Sequence, residues 1–289
     1  HARGLRTRQT KTIGLLADRV ATAPFASEML AGAQEAAWAA GYILLLVDTA
    51  GNRELEAPAI NSLLQRNVDA LIIATHFHHD VVLPAVPLPM VVLDGRPSGP
   101  DAHADSVVPD EEAGGYRAAE LLIEAGHRRI GMLNLPPDEY VAARLRRRGY
   151  EAALAAHGIP LDESLVVEAT EVSAAAGRSA AERLLGRPDR PTAVFCASDR
   201  IAFGLYQVAQ RLGMQIPAHL SVIGFDNQIV VSENLEPGLT TVQLPHRAMG
   251  EWAAEQTIAR IRGQASGASV HRLVPCPIVE RDSVAAPDA

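Results

Sequence analysis

Short apolar runs alternate with long alanine-rich segments along this 289-residue chain, and this alternation constrains the fold more than any other feature. Most of the runs are apolar on both faces, as parallel strands are when helices cover both sides of a sheet. The predicted strands are 12–17, 42–48, 69–74, 89–94, 129–134, 165–169, 192–197 and 220–225. Several of the intervening segments end in glycine, and the predicted helices are 25–41, 110–126, 199–213 and 247–263. The pattern predicts an α/β fold with parallel sheets and right-handed crossovers.

An internal repeat predicts that the chain forms two similar subdomains. The sequence IGLL at 13–16 begins a strand, a helix and a turn with the sequence AAGY, and IGML at 130–133 begins a strand, a helix and a turn with the sequence AAHGI. These units are spaced like the starts of two equivalent sheets. We therefore expect two doubly wound parallel sheets, with a first crossing near residues 109–113. One long doubly wound sheet is the alternative.

Charge and composition exclude several classes of protein. The formal charge is −8, so the general surface does not attract nucleic acid, whereas the first eleven residues are purely basic in charge. Any contact with DNA must come from this arm or from a segment outside the chain. Both cysteines lie in apolar runs, which argues against a disulfide or a CxxC site. Without an apolar stretch of about 18 residues or a signal-peptide core, we expect no membrane span and a cytoplasmic protein.

Polar residues directly after the predicted strands are candidates for ligand binding. In doubly wound sheets, ligands bind outside the carboxyl ends of the strands. The residues at these positions are Asp18, Asp48, Thr49, Thr75, His76, Asp94, Asn134, Ser198, Asp199, Asp226 and Asn227. With two subdomains, we expect these edges to face each other across a cleft that closes on a small molecule.

The motifs argue against an enzyme and against a metal site. No GxGxxG follows a strand, and neither GxxxxGK[ST] nor GxSxG is present, so dinucleotide, ATP and esterase sites lack their usual signals. The sequence HFHHD at 76–80 has no matching second cluster, so we predict a polar loop on the cleft rim and no metal or cofactor. His76 is kept as a candidate ligand contact. A two-lobe enzyme remains an alternative, although no nucleophile–base pair is recognisable.

The arginine-rich sequence RLRRR at 144–148 is basic enough to contact an anion. On a helix these arginines spread around the circumference, so a solvated face is expected for most of them. Arg144 lies nearest the predicted helix start, where one buried arginine could bind vicinal hydroxyls or a carboxylate. Asp226 either caps the segment after its strand or accepts hydrogen bonds from a ligand. Phe25 is either a hydrophobic staple or a ring that stacks on a ligand.

Six blocks of the sequence occur in the order of a known protein family. They are ARGLRTRQTKTIGLL (2–16), 111–134, 142–159, 190–227, LTTVQLP (239–245) and IVERDSVAAP (278–287). Together they resemble the lactose-repressor/galactose-repressor (LacI/GalR) family of bacterial transcription regulators across essentially the whole chain. The combination of GHRRI, PTAVFCASD and SVIGFDN at this spacing is highly specific. Periplasmic sugar-binding proteins share the two-lobe fold but lack the arm and the GHRRI block.

The resemblance implies a type I periplasmic-binding-protein-like fold with hinge crossovers. It assigns 1–11 to an arm that links the chain to a DNA-binding headpiece. The N-terminal subdomain is expected to comprise 12–111 and 245–266, and the C-terminal subdomain 112–244 and 267–284.

The same resemblance implies how the arm contacts DNA. In the family, this arm forms a hinge helix on operator DNA, where Leu5 would wedge into the minor groove and Arg3 and Arg6 would neutralise phosphates. The helix-turn-helix that reads bases is expected upstream of His1 and is not in this chain. A homodimer is also expected from the family.

The resemblance further implies a small-molecule effector, bound in the cleft and coupled to operator affinity. The residues expected to contact it are Phe25, Tyr140, Arg144, Ser198, Asp199 and Asp226. Many sugar-responsive members have Asn at the position of Ser198, and several have an aromatic ring at that of Val172. The effector therefore stays open, with a sugar or sugar derivative expected first and a nucleoside or nucleobase second. A solute-binding protein for sugar transport is the alternative function, which the upstream sequence would discriminate.

Overall fold

The structure is a computed structural model that describes residues 9–20, 27–99, 102–265 and 267–287. The strands are β1 (Thr12–Asp18), β2 (Ile43–Asp48), β3 (Ala70–Val82), β4 (Met90–Ser98), β5 (Asp105–Pro109), β6 (Ile130–Asn134), β7 (Val166–Glu168), β8 (Ala193–Cys196), β9 (Ser221–Asp226), β10 (Thr240–Gln243), β11 (His271–Val274) and β12 (Ile278–Val279). The helices are α1 (Ser27–Ala39), α2 (Glu56–Gln65), α3 (Glu111–Glu124), α4 (Val141–Ala156), α5 (Ala174–Leu185), α6 (Asp199–Arg211), α7 (Ile229–Ser232) and α8 (His246–Ile261). The predictions for Arg3, Leu5, Arg6 and Phe25 lie outside the described residues.

The first of two compact units contains the described residues up to Pro109 together with Pro245–Val274. Its sheet has the strand order β11-β5-β4-β3-β1-β2, with every pairing parallel. Side chains such as Leu15, Ile72 and Val91 are fully buried in its core, where α1 and α8 contribute Met29 and Met249. The strands are therefore covered by helices, as their apolar composition predicts.

The second unit contains Asp110–Leu244 and the described residues from Pro275 onward. Its sheet has the strand order β12-β10-β9-β8-β6-β7 and is parallel except for the short edge strand β12, which is antiparallel to β10. Its core includes Phe195 and Phe225 from neighbouring strands and Tyr150 from α4. The hydroxyl of Tyr150 donates to the carbonyl oxygen of Ile130 at 2.8 Å, so this buried phenol is satisfied.

The two sheets have the same strand order. In each, the first strand lies between the second and the third, and the fourth, fifth and sixth strands continue in order. The prediction of two similar, doubly wound α/β subdomains is confirmed, and the alternative of a single long sheet is wrong. The IGLL and IGML repeats begin the equivalent strands β1 and β6.

The unit boundaries differ from the expected ones. The resemblance places residues 267–274 in the C-terminal subdomain, but β11 pairs in parallel with β5 of the first unit, with His271 opposite Ser106. At the first crossing, Asp110 already belongs to the second unit because its Oδ1 caps α3 by accepting from the Ala113 amide at 3.2 Å. Pairing and capping partners, rather than local composition, therefore fix both boundaries.

The HFHHD segment is a strand and not the polar loop that the sequence predicted. After a register shift between Ala74 and His79, β3 pairs again with β4, with His79 opposite Gly95 and Val82 opposite Ser98. A bulge of this kind lets one strand change its twist and continue.

In the described part of the chain, no helix is long and apolar enough to cross a membrane.

Candidate functional site

Four polar residues follow the central strands of the second unit at their carboxyl ends. Ser198 and Asp199 begin α6 directly after β8, while Asp226 ends β9 and Gln228 begins α7. The strand order reverses between β6 and β8, and ligands of doubly wound sheets bind at such a switch point. Because the buried strands end at this point, these side chains lie at the carboxyl-end edge of the sheet.

The carboxylate of Asp226 is oriented by two donors that converge on one oxygen. Its Oδ2 accepts from the Ser198 hydroxyl at 2.8 Å and from the Gln228 side-chain amide at 2.9 Å. Its Oδ1 lies 3.4 Å from Nη1 of Arg146, which is long for a charged pair. The side chain of Asp226 is 9% exposed. Burial raises the pKa of Asp226, and the charge of Arg146 and these hydrogen bonds oppose that rise.

The backbone at this point is held in an uncommon conformation. Asp226 has a φ of 110° and Asn227 a φ of 52°, in a region that residues with a side chain rarely adopt. Several bonds hold the turn, because Asn227 Oδ1 accepts from Arg281 at 3.0 Å and from Ser232 at 3.1 Å, and the Gln228 amide donates to Asp199 at 2.6 Å. Such residues cost roughly 1–3 kcal/mol each and cluster at functional sites. The strain marks Asp226 as a positioned side chain.

Arg146 lies in the core of this site and is 7% exposed. It makes a bidentate pair with Glu111, with Nε–Oε2 at 2.6 Å and Nη2–Oε1 at 3.1 Å, and it donates to the carbonyl oxygen of Ala197. Its guanidinium lies 3.6 Å from the centre of the Phe225 ring. Burial opposes the charge of Arg146, but Glu111 and Asp226 hold the pKa of the guanidinium above its usual value. Burial raises the pKa of Glu111, and Arg146 partly offsets the rise.

Asp199 is fully buried and braces the site from beneath. Its Oδ1 lies 2.6 Å from the hydroxyl of Thr241, and its Oδ2 accepts a hydrogen bond from the backbone amide of Gln228. Burial, followed by the negative charge of Asp226, raises the pKa of Asp199 to about 8. Gly224 makes room for this carboxyl, because a Cβ at position 224 would overlap its Oδ1. Asp199 is thus enclosed by protein.

The expectation that Arg144 is the buried arginine is wrong. Arg144 is exposed and donates to the carbonyl oxygen of Pro137 at 3.2 Å, whereas Arg146 is buried. The periodicity of α4 contained the signal, because its buried positions are Ala143, Arg146, Gly149, Tyr150, Ala153 and Leu154. Arg146 lies on this inward stripe and Arg144 does not. Proximity to the helix start was the weaker criterion.

Two other predicted residues lie beside the core of the second unit. Tyr140 precedes α4 and is partly buried against an apolar cluster that also contacts Val172. Ser198 is buried, and its hydroxyl accepts from the Arg200 amide at 3.3 Å while donating to Asp226. The structure therefore brings Ser198 and Asp199 close to Asp226, whose other oxygen lies beside Arg146. Glu111, Arg146 and Gln228 are members of this cluster that the sequence reasoning missed.

The first unit presents its own polar edge at the carboxyl ends of β1, β2 and β3. A cavity of about 480 Å³ opens there and is lined by Asp18, Thr49, Arg53 and Glu56 among others. His76 lies beside it, with Nδ1 4.0 Å from Oδ2 of Asp18. Burial lowers the pKa of His76, and the charge of Asp18 opposes this shift. Within the described ranges, no group of three or more His, Cys, Asp or Glu residues could hold a metal ion.

The chain is similar to one family of regulators in both sequence and structure. A family described as "Periplasmic binding protein-like domain" matches residues 119–284. The ribose operon repressor of Haemophilus influenzae is 36% identical over 264 residues, covering 90% of this chain and 77% of that protein. The HTH-type transcriptional repressor PurR of Vibrio atlanticus is 34% identical, covering 98% of this chain and 84% of that protein. A solved structure of a LacI family transcriptional regulator from Enterococcus faecium with bound ribose has a TM-score of 0.74 at 28% identity, covering 95% of this chain and 99% of that one.

These similarities extend over both units rather than over one of them. The sequence identity exceeds 30% across most of the length of each repressor. It agrees with the family resemblance of the sequence blocks and with the two similar sheets of the structure. The chain belongs to the LacI family of transcriptional regulators.

Proposed function

We propose that this chain is the effector-binding core of a ligand-responsive repressor, and that its effector is a small neutral polyol such as a pentose or hexose. The observation that carries the proposal is the placement of Asp226 beside Arg146, with 3.4 Å between carboxylate and guanidinium. A carboxylate accepts from one hydroxyl while a guanidinium donates to its neighbour, so the pair suits adjacent hydroxyl groups.

Two of the similar proteins support a sugar. One is named a ribose operon repressor, and the other is a regulator with bound ribose. A nucleoside or nucleobase is the second candidate, favoured by the 34% identity to PurR over nearly the whole chain. The Asp226 carboxylate would accept equally from a ring N–H. A nucleobase would differ from a sugar in requiring an aromatic or apolar side chain to stack against its flat ring.

Other predicted contacts are part of the same proposal. Ser198 and Tyr140 are expected to contact the effector in the second unit, and His76 and Phe25 in the first. Arg144, whose side chain is exposed, is proposed as a further contact. We propose binding rather than catalysis, since the similar proteins are named as repressors and not for a reaction.

The proposed output is a change in affinity for operator DNA. Arg3, Leu5 and Arg6 would contact the operator as a hinge, with a headpiece upstream and a second copy of the chain completing a homodimer in the cytoplasm. An effector with different affinities for the DNA-bound and free states must shift operator affinity, and couplings of about 1–3 kcal/mol correspond to roughly 5–150-fold. A solute-binding protein, the alternative, would bind the same sugar without such a coupling.

Thermal unfolding of this chain in the presence of candidate effectors tests the proposal. D-ribose, other pentoses and hexoses, adenine and adenosine form the panel, and a true effector at 100 times its Kd adds about 2.7 kcal/mol of stability. Asp226→Asn should abolish the shift, because the substituted side chain would present an amide donor where an acceptor is needed. Asp189→Asn, which alters an exposed carboxylate of the same unit, is the matched control. A full shift in Asp226→Asn would remove Asp226 from the site and overturn the proposal.

A further inference from the structure

Gln228 bridges Asp226 and Arg200 in a way that only one orientation of its amide allows. Its Nε2 donates to Asp226 Oδ2 at 2.9 Å, and its Oε1 accepts from Arg200 Nε at 3.0 Å. A guanidinium can only donate and a carboxylate only accepts, so a flipped amide would lose both bonds. The side chain is therefore locked, and its backbone amide is bound to Asp199 as well.

This bridge leaves the two oxygens of Asp226 unequal. Oδ2 accepts hydrogen bonds from the Ser198 hydroxyl and from the side-chain amide of Gln228. Oδ1 has the long contact to Arg146, whose shorter bonds go to Glu111 and to the carbonyl oxygen of Ala197. A carboxylate oxygen accepts two or more hydrogen bonds, so Oδ1 retains capacity for a donor.

We infer that Gln228 is a positioning residue for effector recognition: by occupying Oδ2 it makes Oδ1 the atom that receives a neutral hydroxyl or N–H donor of the effector. The inference rests on the proposed role of Asp226 and deepens it. It also defines the class of effector group that is accepted at this point. A ligand carboxylate placed here would meet Asp226 without a proton between them and would be rejected.

The charged side chains around Asp226 come from four segments, and none of them is substituted in the tests below. They are Glu111 on α3, Arg146 on α4, Asp199 and Arg200 on α6, and Arg281 after β12. The amide hydrogen bond from Gln228 is among the contacts that lower the pKa of Asp226 against the effect of burial. Removing that bond should therefore raise the pKa of Asp226 further.

Two substitutions at this position separate positioning from packing. Gln228→Met keeps the length of the side chain but cannot donate, so it should weaken D-ribose binding roughly tenfold or more at every pH, as expected for loss of a hydrogen bond to a charged group. Gln228→Glu restores the donor only when the new carboxyl is protonated. Its binding should be weak at pH 8 and recover toward that of the unaltered chain as the pH falls to about 5.5, because two facing carboxyl groups share a proton.

Calorimetric titration of the full chain with D-ribose, repeated with adenine, measures these affinities. Recovery of Gln228→Glu at low pH supports positioning, since a packing defect would not depend on protonation. Equal weakening of Gln228→Glu at all pH values, or unaltered binding in Gln228→Met, overturns the inference. If Asp226→Asn still binds as tightly as the unaltered chain, the proposed function itself fails, so the two failures are distinguishable.

A measurement without any ligand tests the same contact. Carbon-13 NMR of chain labelled at the aspartate carboxyl carbons follows the ionisation of Asp226, assigned by its loss in Asp226→Asn. The pKa of Asp226 should rise in Gln228→Met and stay unchanged in the surface control Asp189→Asn. An unchanged Asp226 titration in Gln228→Met overturns the positioning role, whatever the effector is.

Discussion

Replacing Arg146 by methionine would leave Glu111 buried without its cationic partner. Arg146 is 7% exposed and Glu111 3% exposed, and two hydrogen bonds of 2.6 and 3.1 Å join them. Methionine fills much of the same volume, so the loss is mainly electrostatic. Removing one member of a buried ion pair costs about 3–5 kcal/mol, because the remaining charge is desolvated.

The consequence for thermal unfolding follows from the size of the second unit. A change of 1 kcal/mol shifts the Tm of a domain of about 150 residues by roughly 2–4 °C, so Arg146→Met should lower the unfolding transition of this unit by about 6–20 °C. The matched control is Arg148→Met on the same helix, because Arg148 is 60% exposed and lies 3.3 Å from the partly exposed Glu112. The free energy of unfolding of Arg148→Met should fall by no more than about 0.5 kcal/mol.

A double variant shows whether the uncompensated charge is the cause. Arg146→Met combined with Glu111→Leu removes both charges, and apolar replacement of a buried ion pair is often neutral or stabilising. In urea unfolding followed by circular dichroism, the double variant should therefore recover most of the lost stability. The single-variant deficit should also shrink as the pH is lowered, because Glu111, whose pKa burial already raises, can then take up a proton. A loss below 1 kcal/mol for Arg146→Met, or no recovery in the double variant, would refute this reasoning.

Two further substitutions test the brace and the helix packing. Asp199 has an ordinary pKa of 3.8 and a pKa of about 8 in the fold, so the folded state holds its proton more tightly and stability is lost as the pH rises between these values. Asp199→Asn should flatten that decline in denaturant midpoints measured from pH 5 to 9, and an unchanged slope would contradict the assignment. Gly149→Ala places a Cβ against the backbone oxygen of Glu112 and should cost about 1–3 kcal/mol by forcing α3 and α4 apart, although alanine favours a helix by about 1 kcal/mol. A more stable Gly149→Ala variant would show that the helices are not in close contact.

Local sequence was enough to predict the architecture because burial of parallel strands imposes a composition that can be read without coordinates. All eight predicted strands are present, and the IGLL and IGML repeats begin equivalent strands of two similar sheets. The strands it did not predict, β5, β10, β11 and β12, have two to five residues. Such short segments owe their conformation to neighbouring strands rather than to their own propensity.

The site was predictable only in part. Placing Ser198, Asp199 and Asp226 at a sheet edge needed only the rule that polar residues after parallel strands meet at the carboxyl ends. Identifying the arginine beside Asp226 required knowing which face of α4 is buried, because only this distinguishes Arg146 from Arg144. The prediction of a loop for the HFHHD segment was wrong for a similar reason, since its pairing with β4 depends on a bulge that composition does not reveal.

The chain by itself thus determined the alternation of strands and helices, the duplication and the edge at which polar groups collect, because each follows from contacts between residues close in sequence or from the burial of whole segments. Only the tertiary structure decided that Glu111 pairs with Arg146 and that Gln228 links Arg200 to Asp226. These bonds join residues from different elements, and their directions depend on strand register and helix rotation, which short-range sequence patterns do not specify.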